Sequence, residues 1–215
     1  MNEVGIVVGV GPGLGWALVK RFSQAGLRMI ACARNPKKLE ALARADGIDV
    51  KLEACDATKP ADVARVFDPL DPAVAIFNAG AFQRGGILEI TPEAFERCWK
   101  VGCFGAFLLG QAAARPMVAR GSGTILFTGA TASLRGSAGF ANLAVGKFGQ
   151  RALAQSMARE LGPKGVHVAH VIIDGHIEAP RFPADDIAEN YYRLHAQPRG
   201  AWTHELDLRP ADEKF

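Results

Sequence analysis

Val4-Gly5-Ile6-Val7-Val8-Gly9-Val10-Gly11-Pro12-Gly13-Leu14-Gly15 runs from β-branched residues into a cluster of glycines. A helical pattern follows at once through Trp16, Leu18, Val19 and Phe22. The stretch reads as strand, tight turn and helix. Glycines at positions 9, 13 and 15 let the turn reverse sharply and bring its backbone close to a phosphate. The N–H groups of the helix start then point at that phosphate, where the helix dipole favours negative charge. A buried strand before the glycines and an amphipathic helix after them argue for a dinucleotide-binding turn over a mobile surface loop.

Outward from this unit, strand and helix patterns alternate. Arg28-Met29-Ile30-Ala31-Cys32 is a second apolar strand, and a helix over 37–45 follows, opened by Pro36 and capped by Asn35. A third strand is expected over 49–55 and a helix near 61–67, and a fourth strand over 73–77 ends in Asn78-Ala79-Gly80. Thr91-Pro92-Glu93 combines a cap, a first-position proline and a first-turn acid. A long apolar helical stretch over 95–119 follows in two pieces, with Pro116 near its end. Strands over 122–128 and 166–173 flank a long helix over 140–161, and a helix over 184–195 and a strand over 202–208 come last. Nearly continuous apolar strands alternating with helices mean a parallel sheet covered on both faces. The expected fold class is α/β: a doubly wound parallel sheet in three α/β/α layers, one domain over residues 1–215.

At 215 residues the chain is long enough to bury a real core, and its 49% hydrophobic content is too high for disorder. The net charge of +3 comes without a basic run, so nucleic acid is not an expected partner. The first residues already read as a core strand, which leaves no room for a signal peptide, and no apolar run reads as long enough to span a bilayer. Cys32, Cys55, Cys98 and Cys103 lack metal-ligand spacing and read as small buried hydrophobes. No metal is expected, and the chain is expected in the reducing cytoplasm.

In such a sheet the ligand lies across the carboxyl ends of the strands. The unusual residues fall there: Gly9, Gly11, Gly13, Leu14 and Gly15, then Arg34, then Asp56 and Ala57, then Asn78, Ala79 and Gly80. Thr128 to Ser133 follow the fifth strand, and Asp174, Gly175, His176 and Ile177 follow the sixth. An NAD-selective site places an acid at the end of the second strand, but this chain has Ala33-Arg34-Asn35, with Lys37 and Lys38 beyond. The planar donors of Arg34 suit a ribose 2′-phosphate, so NADP is the expected cofactor ahead of NAD.

Together these positions resemble the short-chain dehydrogenase/reductase family over nearly the whole chain, which implies a Rossmann-type sheet. Gly9, Gly13 and Gly15 match its glycine motif, Asp56 its Asp after the third strand, and Asn78-Ala79-Gly80 its Asn-Ala-Gly. Lys147 falls on the Lys of its Tyr-x-x-x-Lys motif. The resemblance implies hydride transfer to or from a small carbonyl, alcohol or enoyl substrate, with Lys147 on the nicotinamide ribose, and it adds Gly175 and Ile177 to the cofactor-binding set.

The acid side departs from that pattern. Leu143 stands where the family has its Tyr, one turn before Lys147, and Ala130 where it has its Ser. Gly102 falls on the helix Asn, Asp174-Gly175 on the usual Pro-Gly, and Phe140 on the Tyr position of the family's enoyl reductases. Losing one such donor costs about 3 kcal/mol of barrier, a few hundredfold in rate. The substitutes on offer are the hydroxyl of Thr131, near Ser133, and His176, which can donate a proton near neutral pH. With Lys147 they are the catalytic candidates, while Tyr191 and Tyr192 lie far along the chain from the site. Two functions fit: an NADP-dependent oxidoreductase with a degenerate catalytic set, or an NADPH-binding pseudo-enzyme serving as sensor or scaffold. The segment over about 176–186 reads as a short substrate loop. The helices over 95–119 and 140–161 resemble the pair that builds the family's four-helix interface, which implies a homodimer or homotetramer.

Overall fold

The computed structural model describes residues 3–213. Among them, seven strands form one parallel sheet: β1 (Val4–Val8), β2 (Arg28–Ala33), β3 (Val50–Ala54), β4 (Val74–Phe77), β5 (Gly123–Thr128), β6 (Val166–Ile173) and β7 (Glu205–Leu208). Their order is β3-β2-β1-β4-β5-β6-β7. Seven α-helices cover it: α1 (Leu14–Gln24), α2 (Glu40–Asp46), α3 (Pro60–Phe67), α4 (Pro92–Trp99), α5 (Gly105–Arg120), α6 (Ala141–Leu161) and α7 (Ala184–His195). β1, β4 and β6 are buried along their whole length, which is why they read as unbroken apolar runs instead of alternating ones.

Strand alternation sorts the core into two layers. Ile6, Phe77, Ile125 and Phe127 pack with Val63, Leu109, Met117 and Ala154, on the face covered by α3, α5 and α6. Val7, Ile76, Leu126 and Val171 pack with Leu18, Phe22, Ile187 and Tyr191, on the face covered by α1 and α7. The strand order reverses between β1 and β4, so the two strands that end in Gly9 and Asn78 lie side by side at the switch point.

Several expected details differ. Asn35 caps nothing: its side chain makes no capping bond, and Pro36–Leu39 is a 3₁₀ turn that leads into α2. Leu39 is the buried residue of that turn, and α2 after it buries none. The Thr91 cap is present, with Ala94 N–H donating to Thr91 Oγ1 at 3.2 Å. The long stretch is two α-helices joined without a break by a π-helix, Lys100–Phe104. Contrary to the sequence reading, the run Pro92–Arg120 is long and apolar enough to cross a membrane by length and composition, with a mean hydropathy of 1.2. Gly105, Ala106, Leu109, Ala113 and Met117 on it are buried against the core. β7 is shorter than expected, because Trp202 leaves the strand path and stacks on His167 with ring centroids 4.9 Å apart.

Candidate active site

At the switch point the chain is tightly constrained on one side and open on the other. Gly9 has φ +92, and a Cβ there would run into the backbone of Ala79. A Cβ at Gly15 would lie 2.8 Å from Val10 Cα. At Gly11 and Gly13, by contrast, an added Cβ meets nothing within 4 Å. The Trp16 N–H closes the turn on the Gly11 and Gly13 carbonyls at 3.0 Å each, and no side chain caps α1. The positive end of the helix therefore faces a cradle of open backbone that a phosphate can approach. Asn78 locks the arrangement: its Nδ2 donates to Gly9 O at 3.0 Å and its own N–H to Val8 O at 2.8 Å.

A cavity of about 830 Å³ opens from this cradle, lined among others by Gly11, Arg34, Asp56, Ala57, Gly80 and Phe82. Arg34 is exposed at its edge and makes no hydrogen bond or ion pair among the described residues. Asp56 Oδ1 accepts from Thr58 N–H at 3.0 Å and Thr58 Oγ1 at 2.8 Å. Those bonds, the backbone one first, hold the Asp56 carboxyl below its usual range. These residues suit a dinucleotide chemically: open backbone at a helix N-terminus for phosphate, and the guanidinium of Arg34 at the cavity edge for an anionic group. A second recess, of about 730 Å³, lies at the opposite ends of β2 and β3 between exposed helix ends, far from these groups.

The end of β5 gathers the remaining candidates. Lys147 is buried; its Nζ donates to Thr128 O at 2.6 Å and lies 3.4 Å from Gln150 Oε1. Burial alone pushes its pKa down to about 8. Leu143, one turn earlier on α6, is half-buried. Thr131 Oγ1 donates to Asp174 Oδ1 at 2.6 Å, across from β5 to the end of β6. Asp174 is itself buried, with Arg209 Nη2 at 3.2 Å and Arg135 Nη2 at 3.7 Å. Ser133 Oγ accepts from Ala130 N–H at 3.1 Å and lies 3.1 Å from His170 Nε2. Burial, and then the charge of Lys147, push the His170 imidazole down to about 3, so that ring is neutral. The structure thus brings Lys147 and Thr131 to one strand end.

His176 is not brought to them. It is exposed on the loop after β6 and forms no hydrogen bond or ion pair among the described residues. Gly175 is pressed against the C-terminal segment, where a Cβ would lie 2.8 Å from Pro210 Cδ, and Ile177 is half-buried beside the α7 layer. The substrate loop closes into a small hairpin with an antiparallel bridge between Glu178 and Phe182, and Arg181 ties it to Asp212 at 2.9 Å and Glu213 at 3.0 Å. On the facing side, Phe82 stacks on Phe140 at 4.8 Å with an 8° interplanar angle.

One residue placed far from the site on sequence grounds reaches it. Tyr191 Oη donates to Thr128 Oγ1 at 2.8 Å, on the strand end whose carbonyl holds Lys147. The phase of α7, with Ile187, Ala188, Tyr191 and Leu194 buried, was readable, but the Thr128 partner lies 63 positions away.

Residues 3–181 match the family model described as short chain dehydrogenase. A short-chain dehydrogenase from Rhodopseudomonas palustris superposes with a TM-score of 0.88 at 41% identity, covering 98% of this chain and 99% of the other. A metagenomic short-chain oxidoreductase in complex with NADP gives a TM-score of 0.88 at 27% identity, covering 97% of each chain. Among curated proteins, (21S)-21-acetoxyl-apo-melianone synthase of Melia azedarach is 32% identical over 177 residues, 78% of this chain; the chain spans 64% of that protein's length.

Proposed function

The chain belongs to the short-chain dehydrogenase/reductase family, and from that premise we propose that it is an NADP(H)-dependent oxidoreductase with a degenerate catalytic set. The carrying observation is the open cradle at Gly11 and Gly13, with Arg34 and no acid in Ala33-Arg34-Asn35 at the end of β2, in a cavity that also takes in Asp56. In this reading Gly9 to Gly15 hold the pyrophosphate, Arg34 the 2′-phosphate, Asp56, Ala57 and Asn78 to Gly80 the adenosine half, and Lys147, Gly175 and Ile177 the nicotinamide half. The bound cofactor would supply a hydride to a carbonyl or enoyl substrate, or take one up from an alcohol. Lys147 offers its ammonium to the ribose hydroxyls. Thr131 offers oxygen lone pairs to a substrate hydroxyl, because Asp174 holds its proton. His176 is the candidate proton donor on the loop side. The substrate is a small carbonyl, alcohol or enoyl compound, and the four free thiols fit a reducing cytoplasm.

Arg34→Glu is expected to weaken NADPH binding about a hundredfold while leaving NADH binding within a few-fold, the scale of a lost charge-assisted fork plus repulsion. Fluorescence titration of both cofactors checks this, and a parent that binds NADH as tightly as NADPH overturns the NADP preference. Leu143 and Ala130 favour a second reading, an NADPH-binding sensor or scaffold. Tight NADPH binding with no turnover on aldehydes, ketones and enoyl thioesters selects it.

The same reading includes a homodimer or homotetramer on the long helices. Trp99, Phe107, Val145 and Phe148 are 37–44% exposed on the helical run and on α6, which pass close at Gly102 and Gly146. Light scattering at micromolar concentration is expected to give at least twice the mass of one chain, and Phe148→Arg to lower it. A monomeric parent rules the interface out.

A further inference from the structure

The side chain of Thr128 points to the α1/α7 face, as Leu126 does two residues earlier, while its carbonyl is taken by Lys147 from the α6 face. Thr128 is the last residue of β5, where the strand is held by a short ladder bond from Gly129 N–H to Val171 O at 2.6 Å. On the α7 side, Tyr191 is fully buried and its hydroxyl donates to Thr128 Oγ1. One residue therefore carries a phenol bond on one face of the sheet and an ammonium bond on the other.

We infer that Tyr191 is a positioning residue for Lys147, acting through Thr128 across the sheet; this rests on the cofactor reading above. Among the described residues the buried Lys147 has no carboxylate partner, so the direction of its ammonium is set by the neutral acceptors of Thr128 and Gln150. The nearer of these is the Thr128 carbonyl, whose peptide plane is held on one side by Gly129 N–H on Val171 O and on the other by the Thr128 side chain. Tyr191 is the side-chain anchor. Its orientation is secured in turn by Ile187, Ala188 and Leu194, which bury the inner face of α7 against the sheet. Gln150 of α6 is the other acceptor, and the titratable group whose field Lys147 reaches is the neutral His170 of β6.

Tyr191→Phe and Thr128→Val each remove one side of the anchor with almost no change of shape. Two measurements test the link: competitive labelling of Lys147 with acetic anhydride across pH in the cofactor-free protein, and NADPH titration. In either variant the labelling midpoint of Lys147 is expected to fall by about half a pH unit, because an acceptor that favours the ammonium has been loosened. NADPH is expected to bind about tenfold more weakly, the scale of one buried hydrogen bond. The double variant is expected to match the worse single one, since both act through the same contact. Tyr192→Phe, whose ring packs on Phe22 and Arg21 instead, is expected to leave both readings at the parent value. Parent-like labelling and affinity in Tyr191→Phe overturn the proposal, whatever the melting temperature does, and so do additive effects in the double variant. A parent that binds no NADPH sinks the cofactor reading alone, because the labelling midpoint still reports on the anchor.

Discussion

The double variant Ala130→Ser, Leu143→Tyr is expected to reduce activated ketones with NADPH at least about a hundredfold faster than the parent. Leu143 lies one turn before Lys147 on α6, so a ring placed there shares the face of the ammonium. The charge of Lys147 favours the phenolate and lowers the barrier to releasing the proton. Ala130 has an extended backbone at the end of β5 and its N–H already bonds to Ser133 Oγ, so a serine hydroxyl is added to a turn that is held in shape. Two restored donors aimed at one substrate oxygen recover several kcal/mol of barrier. Leu143 is half-buried, which gives the larger ring a way out towards the cleft, although overpacking against its neighbours opposes the change. NADPH consumption over a ketone panel, with cofactor affinity measured in both proteins, decides it. Unchanged rates with unchanged NADPH affinity mean that the pocket itself has diverged. High activity in the parent means that another donor operates, and His176→Ala then tests the loop histidine.

Lys147→Met is expected to stabilise the fold at neutral pH while abolishing tight NADPH binding. Burial pushes the Lys147 amine from its ordinary 10.5 down to about 8 in the fold. That shift is about 3 kcal/mol against the charged form. Below pH 8 both the folded and unfolded chains carry the ammonium, so the folded state bears the whole burial penalty. Between 8 and 10.5 the unfolded chain still binds the proton and the folded one does not, so stability rises with pH through this window. Methionine carries no charge, but it forfeits the bond to Thr128 O, worth about 1 kcal/mol. The net expectation is a gain of about 2 kcal/mol at pH 7 that shrinks through the window and becomes a loss of about 1 kcal/mol above it. Urea unfolding of parent and variant from pH 6 to pH 11 measures this directly. A difference that does not change with pH means that the lysine is not held in a desolvated site.

Much of the fold was legible because burial on both faces leaves a plain trace in sequence. Val4 to Val8, Val74 to Phe77 and Val166 to Ile173 are apolar without interruption, and the strand ends followed from them. The glycine turn was legible as a cluster, but only Gly9 and Gly15 are imposed by close neighbours, while Gly11 and Gly13 border open space. The π-helix was hidden, since one extra residue per turn over Lys100–Phe104 hardly alters an apolar pattern. Asn35 carried the right residue type for a cap, but the 3₁₀ turn that follows it does not use one. Polar pairings over long separations were the least accessible. Thr131 meets Asp174 across 43 positions, and Tyr191 meets Thr128 across 63, and nothing local to either residue announces its partner.

The strand order also governs how this protein is made. A chain leaving the ribosome can add β2 to β1 and β3 to β2 as each emerges, and later β5, β6 and β7 each dock on the strand before. One step breaks the rule: β4 must return to β1, pairing Val74 with Gly5. Until it does, one side of β1 is a bare apolar edge, the kind of surface that nascent chains lose to wrong partners and that chaperones cover. The same step delivers Asn78 to Gly9. The glycine turn is thus translated well before it can acquire its clasp, which waits for Asn78 to be made. A pause in translation before that point leaves a nascent chain with its signature motif complete in sequence and still without the contact that holds it shut.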